Sequence, residues 1–172
     1  MSIKERILEV RSNSDKSVSV DHFVKHPEEL DQLIQCIFNL EEYPYKEYAS
    51  WLLIHIATSK KVDLQPYYPQ LVEVLFKTDN QTVLRNVARS LTEMKITDHR
   101  ESEFIDLLIG FIQNYENKVA LQVYSIYILQ QFVKRYPELK DELIEIIALH
   151  RNGKTVSYKV AERNFLKFIS KM

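Results

Sequence analysis

His22 and His26 stand four residues apart with Asp21 beside them. On a helix this spacing puts two imidazoles on one face, as a metal ion requires of its ligands. No third ligand is spaced to complete a set, so the pair reads as two solvated imidazoles and no metal is expected. The sharper pattern is electrostatic. Lys159, Arg163, Lys167 and Lys171 recur every four residues, Arg151 and Lys154 precede them, and Glu162 is the one acid after Arg151. At that spacing the cations form a slowly curving stripe along one helix face. Such a stripe docks an acidic partner or a phosphate backbone. It is equally what a solvated outer face on a terminal repeat looks like, and the sequence favours that plainer reading.

Nucleophilic chemistry finds no support. The single cysteine, Cys36, lies beside apolar residues and reads as a small core side chain in a reducing compartment. His55 sits inside the apolar run from Trp51 to Ala57 and reads as a packed histidine, while His99 and His150 fall at helix ends. No Ser/His/Asp or Cys/His set assembles from these scattered positions. Gly110 and Gly153 are the only glycines. That scarcity excludes phosphate-cradling loops and Rossmann turns, which need glycine for left-handed backbone or close approach. No catalytic residue, cofactor or metal ligand is expected.

The net charge of −1 creates no global field to gather nucleic acid or an anionic membrane. The first ten residues carry acidic charges and no apolar core, unlike a signal peptide, and no stretch approaches the ~18 apolar residues of a membrane span. The expected location is the cytoplasm. A length of 172 residues suits one domain, 1–172.

The elements that must position these residues announce themselves by repetition. An apolar quartet at offsets 0, 3, 4 and 7 occurs as Leu30, Leu33, Ile34, Ile37, then as Tyr68, Leu71, Val72, Leu75. It returns as Ile105, Leu108, Ile109, Ile112 and finally as Leu143, Ile146, Ile147, His150, at steps of 38, 37 and 38 residues. Those offsets place each quartet on one helix face, and the step is the size of a two-helix unit in an α-solenoid. Polar turns keep the same phase at Glu41–Pro44, Thr78–Gln81, Asn114–Asn117 and Asn152–Thr155. Second helices follow with stripes through Ala49, Leu52, Leu53, Ile56 and through Leu84, Val87, Ala88, Leu91. Later stripes run through Tyr124, Ile128, Phe132 and through Ala161, Phe165, Phe168. Pro27, Pro66 and Pro137 each stand about one turn before a quartet, where proline is tolerated at a helix start. Ile109→Asp is expected to unfold a protein built this way.

The second helices resemble HEAT and armadillo-like repeats, in which a basic residue, a small one and an apolar one stand three apart. Lys46-x-x-Ala49-x-x-Leu52 and Arg85-x-x-Ala88-x-x-Leu91 carry that pattern, and it blurs in the last two pairs. A closer resemblance is to small bacterial helical-repeat proteins, through Lys118-Val-Ala-Leu-Gln-Val-Tyr-Ser125, Tyr136-Pro-Glu-Leu139 and Ser157-Tyr-Lys-Val-Ala161. Members of that group often carry the label adenylosuccinate lyase. That lyase family needs a Gly- and Ser-rich mobile loop and histidines from several subunits of a much longer chain, and two isolated glycines provide no such loop.

The expected fold is all-α: an N-terminal helical cap over 1–26, then four helix pairs over 27–172 stacked into a short right-handed superhelix of HEAT type. The expected function is a non-catalytic scaffold for another protein, with partner contacts on the second helices at Lys46, Arg85, Arg89, Gln122, Lys159, Arg163 and Lys167. Nucleic acid is the rival ligand. HEAT-like DNA glycosylases line a groove with cations, aromatic side chains and a catalytic carboxylate, for which Trp51, Glu93 and Glu162 are the nearest candidates. An enzyme is the second alternative. Among ten tyrosines, Tyr45 and Tyr67 are the ones expected at an exposed surface.

Overall fold

A computed structural model describes residues 1–12 and 15–172. Asn13 and Ser14, inside the cap expected over 1–26, lie outside the described residues. Ten α-helices are present among the described residues and no strand. The cap holds α1 (Ile3–Ser12) and α2 (Ser17–Lys25). Four helix pairs follow: α3 (Leu30–Phe38) with α4 (Tyr45–Ser59), and α5 (Tyr68–Lys77) with α6 (Gln81–Leu91). The others are α7 (Glu101–Gln113) with α8 (Val119–Arg135), and α9 (Lys140–Leu149) with α10 (Val156–Ile169).

The prolines act half a step earlier than a helix start. Pro27, Pro66 and Pro137 lie in short 3-10 turns, Pro27–Glu29, Gln65–Tyr67 and Pro137–Leu139, which run directly into α3, α5 and α9. A fixed φ suits a tight lead-in turn as well as a first helical residue. The scarcity of glycine has a visible consequence: Leu40, Lys60 and Arg100 take left-handed backbone themselves, with φ of 53°, 55° and 46°. Lys60 ends α4 in this way, at a position where glycine would relieve the Cβ crowding.

The chain forms two compact units, Met1–Met94 and Lys95–Met172. In the first, α4 is the central element. It packs against α1, α2, α3 and α6, while α5 packs on α3 and α6. Both quartets of this unit are buried, as are all eight stripe positions of α4 and α6. Ala49 and Ala88 have no exposed surface, as close helix approach demands. Ser50 and Asn86 sit buried in the α4–α6 contact, where Asn86 Nδ2 donates to Ser50 Oγ at 3.0 Å. A buried pair of this kind satisfies both groups and fixes the register of two otherwise apolar faces.

In the second unit α8 packs against α7 and α10, and α9 contacts α7 and α10. Here the expected face is corrected. Leu108 and Ile112 are buried, but Ile105 and Ile109 are only partly so; Phe104 and Phe111 take up the buried surface of α7. Phe104 meets Phe132 of α8 edge-to-face, with ring centroids 5.9 Å apart, so the larger aromatic rings set the helix rotation. In α9, Leu143 and Ile147 are buried and Ile146 partly so. His150 is buried too, despite being the one polar member of its quartet.

Candidate functional site

The expected contact residues separate into engaged and free ones. Lys46 is largely buried and its Nζ lies 3.3 Å from Glu47 Oε1. Arg89 Nη1 donates to Glu93 Oε1 at 2.6 Å and to Thr92 Oγ1 at 2.8 Å. Glu93 also pairs with Lys60 at 3.4 Å, and its carboxyl is held below the usual range first by the Arg89 hydrogen bond. Neither Lys46 nor Arg89 offers an uncommitted charge.

Gln122 is a correction. It has no exposed surface. Its Nε2 donates to the carbonyls of Ile112 and Asn114, at 3.3 and 3.0 Å, and its Oε1 accepts from Lys154 Nζ at 2.7 Å. The carbonyls at the end of α7 have no intrahelical donor, and a buried amide from the next helix supplies one. Gln122 is therefore a packing residue of α8. Lys154, which it holds, lies over the rings of Tyr115 and Tyr158, and burial lowers its pKa.

The remaining four are free. On α10 the buried face carries Tyr158, Ala161, Glu162 and Phe165, and Tyr158 donates its hydroxyl to the Ile147 carbonyl at 2.9 Å. The opposite face exposes Lys159, Arg163, Lys167 and, beyond the helix end, Lys171. Among the described residues none of these four forms an ion pair. Leu166 is exposed among them. In the first unit Arg85, exposed on α6, has no ion-pair or side-chain hydrogen-bond partner among the described residues.

Arg85 stands at the mouth of a pocket of about 300 Å³ between α4 and α6. Tyr43, Tyr48 and Trp51 wall one side; Thr82, Arg85 and Asn86 wall the other, and Glu47 completes it. The Tyr43 and Tyr48 rings meet edge-to-face at 6.5 Å, and Arg11 Nη1 donates to the Tyr48 hydroxyl at 2.9 Å. Lys16 Nζ lies 4.6 Å from the centre of the Trp51 ring. Glu47 Oε1 accepts from Asn80 Nδ2 at 2.8 Å and meets Lys46, while its buried Oε2 has no hydrogen-bond partner among the described residues. Trp51 is thus a partly exposed pocket wall, where its apolar neighbours suggest a core residue. A larger hollow of about 480 Å³ near Val62 and Met94 is ringed by Lys60 and Lys61, but these pair with Glu93 and Asp21.

The other expected features fall as follows. His22 and His26 stack at 4.6 Å and turn to glutamates, His22 to Glu29 at 2.8 Å and His26 to Glu28 at 3.1 Å. Among the described residues no three His, Cys, Asp or Glu side chains gather as a metal set. Cys36 is buried, and burial raises its thiol pKa to about 11. The exposed tyrosines are Tyr43 and Tyr115, at 70% and 66%, whereas Tyr45 and Tyr67 are partly buried. Tyr67 is held by a hydrogen bond to Asp31 and Tyr45 lies under Lys4 Nζ, which explains both. Glu162, a candidate carboxylate for a glycosylase-like groove, is buried against Arg151. Among the described residues no helix is long and apolar enough to cross a membrane.

No curated protein and no solved structure gives a match to this sequence. The pattern of the HEAT repeat domain matches residues 4–169, from the first turn of α1 to the end of α10. That match covers nearly the whole chain and spans all four helix pairs, and the chain belongs to the HEAT repeat family.

Proposed function

We propose that this helical-repeat scaffold is a non-catalytic protein-interaction module that recognises acidic segments of another protein through its second helices. One observation carries the reading: second helices present cations without acidic partners among the described residues, Arg85 on α6 and Lys159, Arg163 and Lys167 on α10. Several other cations are paired within the scaffold, as in Lys4 with Glu41, Arg6 with Glu29 and Arg135 with Glu101. Uncompensated cations beside an exposed leucine are what an acidic, partly apolar partner segment complements. The overall charge of −1 supports a local patch for a protein over a field for a nucleic-acid polyanion.

The experiment is affinity purification from the native host with the wild-type chain and with Lys159→Glu, Arg163→Glu and Lys167→Glu combined. Reversing three docking charges lowers recovery of the specific partner about tenfold or more. Equal recovery by a folded triple variant would remove α10 from the interface.

A further inference from the structure

We infer that the α4–α6 pocket is a binding site for one aromatic side chain of a partner protein, flanked in that partner's sequence by aspartate or glutamate. This rests on the scaffold reading and deepens it by naming a receptor site and the chemistry of its occupant.

The walls set the first requirement. Tyr43 is largely exposed, and Trp51 and Tyr48 present partly exposed surface into the same hollow. Exposed aromatic surface gains most by covering another flat apolar group, in stacked or edge-to-face contact. A volume of about 300 Å³ is at the small end of ligand pockets and admits a single ring system. Anchors of this type dominate interface energetics when seated in a preformed hollow.

The charges set the second requirement. Arg85 is exposed at the mouth with no partner among the described residues, and the Thr82 hydroxyl lies one turn before it on the same helix. A planar guanidinium with a free fork takes a carboxylate in paired hydrogen bonds. Lys16 and Arg11 add positive charge behind the aromatic wall, through Trp51 and Tyr48. The pocket's one acid, Glu47, has its Oε1 met by Lys46 and Asn80, while its buried Oε2, without a hydrogen-bond partner among the described residues, is open to a backbone amide of the occupant. A cationic occupant would meet Arg85 directly and feel Lys16 and Arg11 at longer range. An anionic neighbour to the anchoring ring is attracted by all three.

A nucleotide also combines a flat ring with negative charge. The peptide is favoured because a single free guanidinium matches a carboxylate, and none of the backbone-tracking rows of cations that strand binding needs surrounds this pocket.

Trp51 is the only tryptophan in the chain, so its fluorescence reports the pocket directly. The probes are capped synthetic pentapeptides: Asp-Glu-Phe-Asp-Glu, the same peptide with Ala for Phe, and Lys-Arg-Phe-Lys-Arg; adenosine monophosphate is the fourth. The acidic phenylalanine peptide is expected to change Trp51 emission saturably, with affinity falling as salt rises. The alanine peptide binds at least tenfold more weakly and the basic peptide gives no saturation. Arg85→Glu abolishes the response, and Arg85→Gln, which removes the charge without reversing it, weakens it about tenfold. Both variants change an exposed side chain, and circular dichroism verifies that they stay folded.

No saturable response to the acidic phenylalanine peptide overturns the proposal. So does an unchanged affinity in Arg85→Glu, or tighter binding of adenosine monophosphate or of the basic peptide. The α10 triple variant should bind the acidic peptide like wild type. If the peptide fails while that variant still loses its partner in purification, the pocket assignment falls and the scaffold reading stands. Peptide binding with undiminished partner recovery by the α10 variant would confine recognition to the pocket.

Discussion

Arg151 closes on Glu162 at two points: Nη2 donates to Oε1 at 2.8 Å, and Nε forms an ion pair with Oε2 at the same distance. Glu162 is the only acid between Arg151 and Met172, and it is 6% exposed on the inner face of α10. The one negative charge of this segment is therefore turned inward and neutralised by Arg151, which precedes the helix. Packing and surface charge are coupled here: the fold consumes the acid and leaves Lys159, Arg163 and Lys167 uncompensated.

Removing either partner of this pair has different consequences. Arg151→Ala leaves an almost buried carboxylate without its donors and should cost about 1–2 kcal/mol, reduced from a fully buried pair because Arg151 is half exposed. Glu162→Gln leaves a neutral amide and should cost less. Combining the two should recover part of the Arg151→Ala loss. Urea unfolding of the three variants measures this; equal losses in both single variants would mean that Glu162 is well solvated.

The rotation of α7 makes a second prediction. Leu108 has no exposed surface and Ile109 is partly exposed. Leu108→Asp forfeits about 1.5–3 kcal/mol of burial and adds the larger penalty of an unpaired buried charge. It should unfold the second unit, while Ile109→Asp should leave a folded protein of lowered melting temperature. Circular dichroism melts decide, and identical behaviour of the two variants would contradict the burial of this helix.

Period-based reading recovers whatever repeats. The 38-residue step located every helix pair, because offsets of 0, 3, 4 and 7 depend only on helix geometry. It misplaced the face of α7 because Phe104 and Phe111 are outside the quartet yet larger than Ile105 and Ile109, and volume decides which side turns inward. Gln122 looked like a polar second-helix contact because its partners, the carbonyls at the end of α7, have no signature in the sequence. The pocket was half legible. Tyr43 and Tyr48 cluster in sequence, but their juxtaposition with Arg85, one repeat further on, exists only once α4 and α6 pack. Engaged cations were partly legible, since Glu93 stands four residues after Arg89 and Glu47 directly after Lys46, but only the packed structure shows that these pairs close while Arg85 stays exposed.

Asn80 ties helix capping to the pocket. Its Oδ1 accepts from the amides of Thr82 and Val83, both at 3.1 Å, at the start of α6, while its Nδ2 holds Glu47. Asn80→Ala removes both roles and should cost about 1–2 kcal/mol; Asn80→Ser keeps a capping oxygen and should lose only a fraction of that. Both variants should alter Trp51 emission through the released Glu47. Denaturant titrations followed by circular dichroism and by fluorescence separate the roles. A serine variant as unstable as the alanine one would place the energy in the Glu47 contact.

Stability should rise with pH across the histidine range. Burial, and secondarily the Lys154 ammonium, lowers the pKa of His150 from its ordinary 6.5; His55 is lowered by burial and then by Lys16. At a pH between the folded value and 6.5, the unfolded chain binds more protons than the folded one, so stability increases with pH there. The contribution is complete above pH 6.5 and is lost as the pH falls below it. Carboxylates held low in the fold, such as Glu93 and Glu101, act only nearer to 4.5 and below. Urea midpoints should therefore drop between about pH 7.5 and about pH 5.5, where histidine protonation dominates. His150→Asn cannot ionise and should flatten part of that slope. An unchanged slope in this variant would show that the buried imidazole takes up its proton as readily in the fold as in water, against its position beneath Tyr115 and beside Lys154.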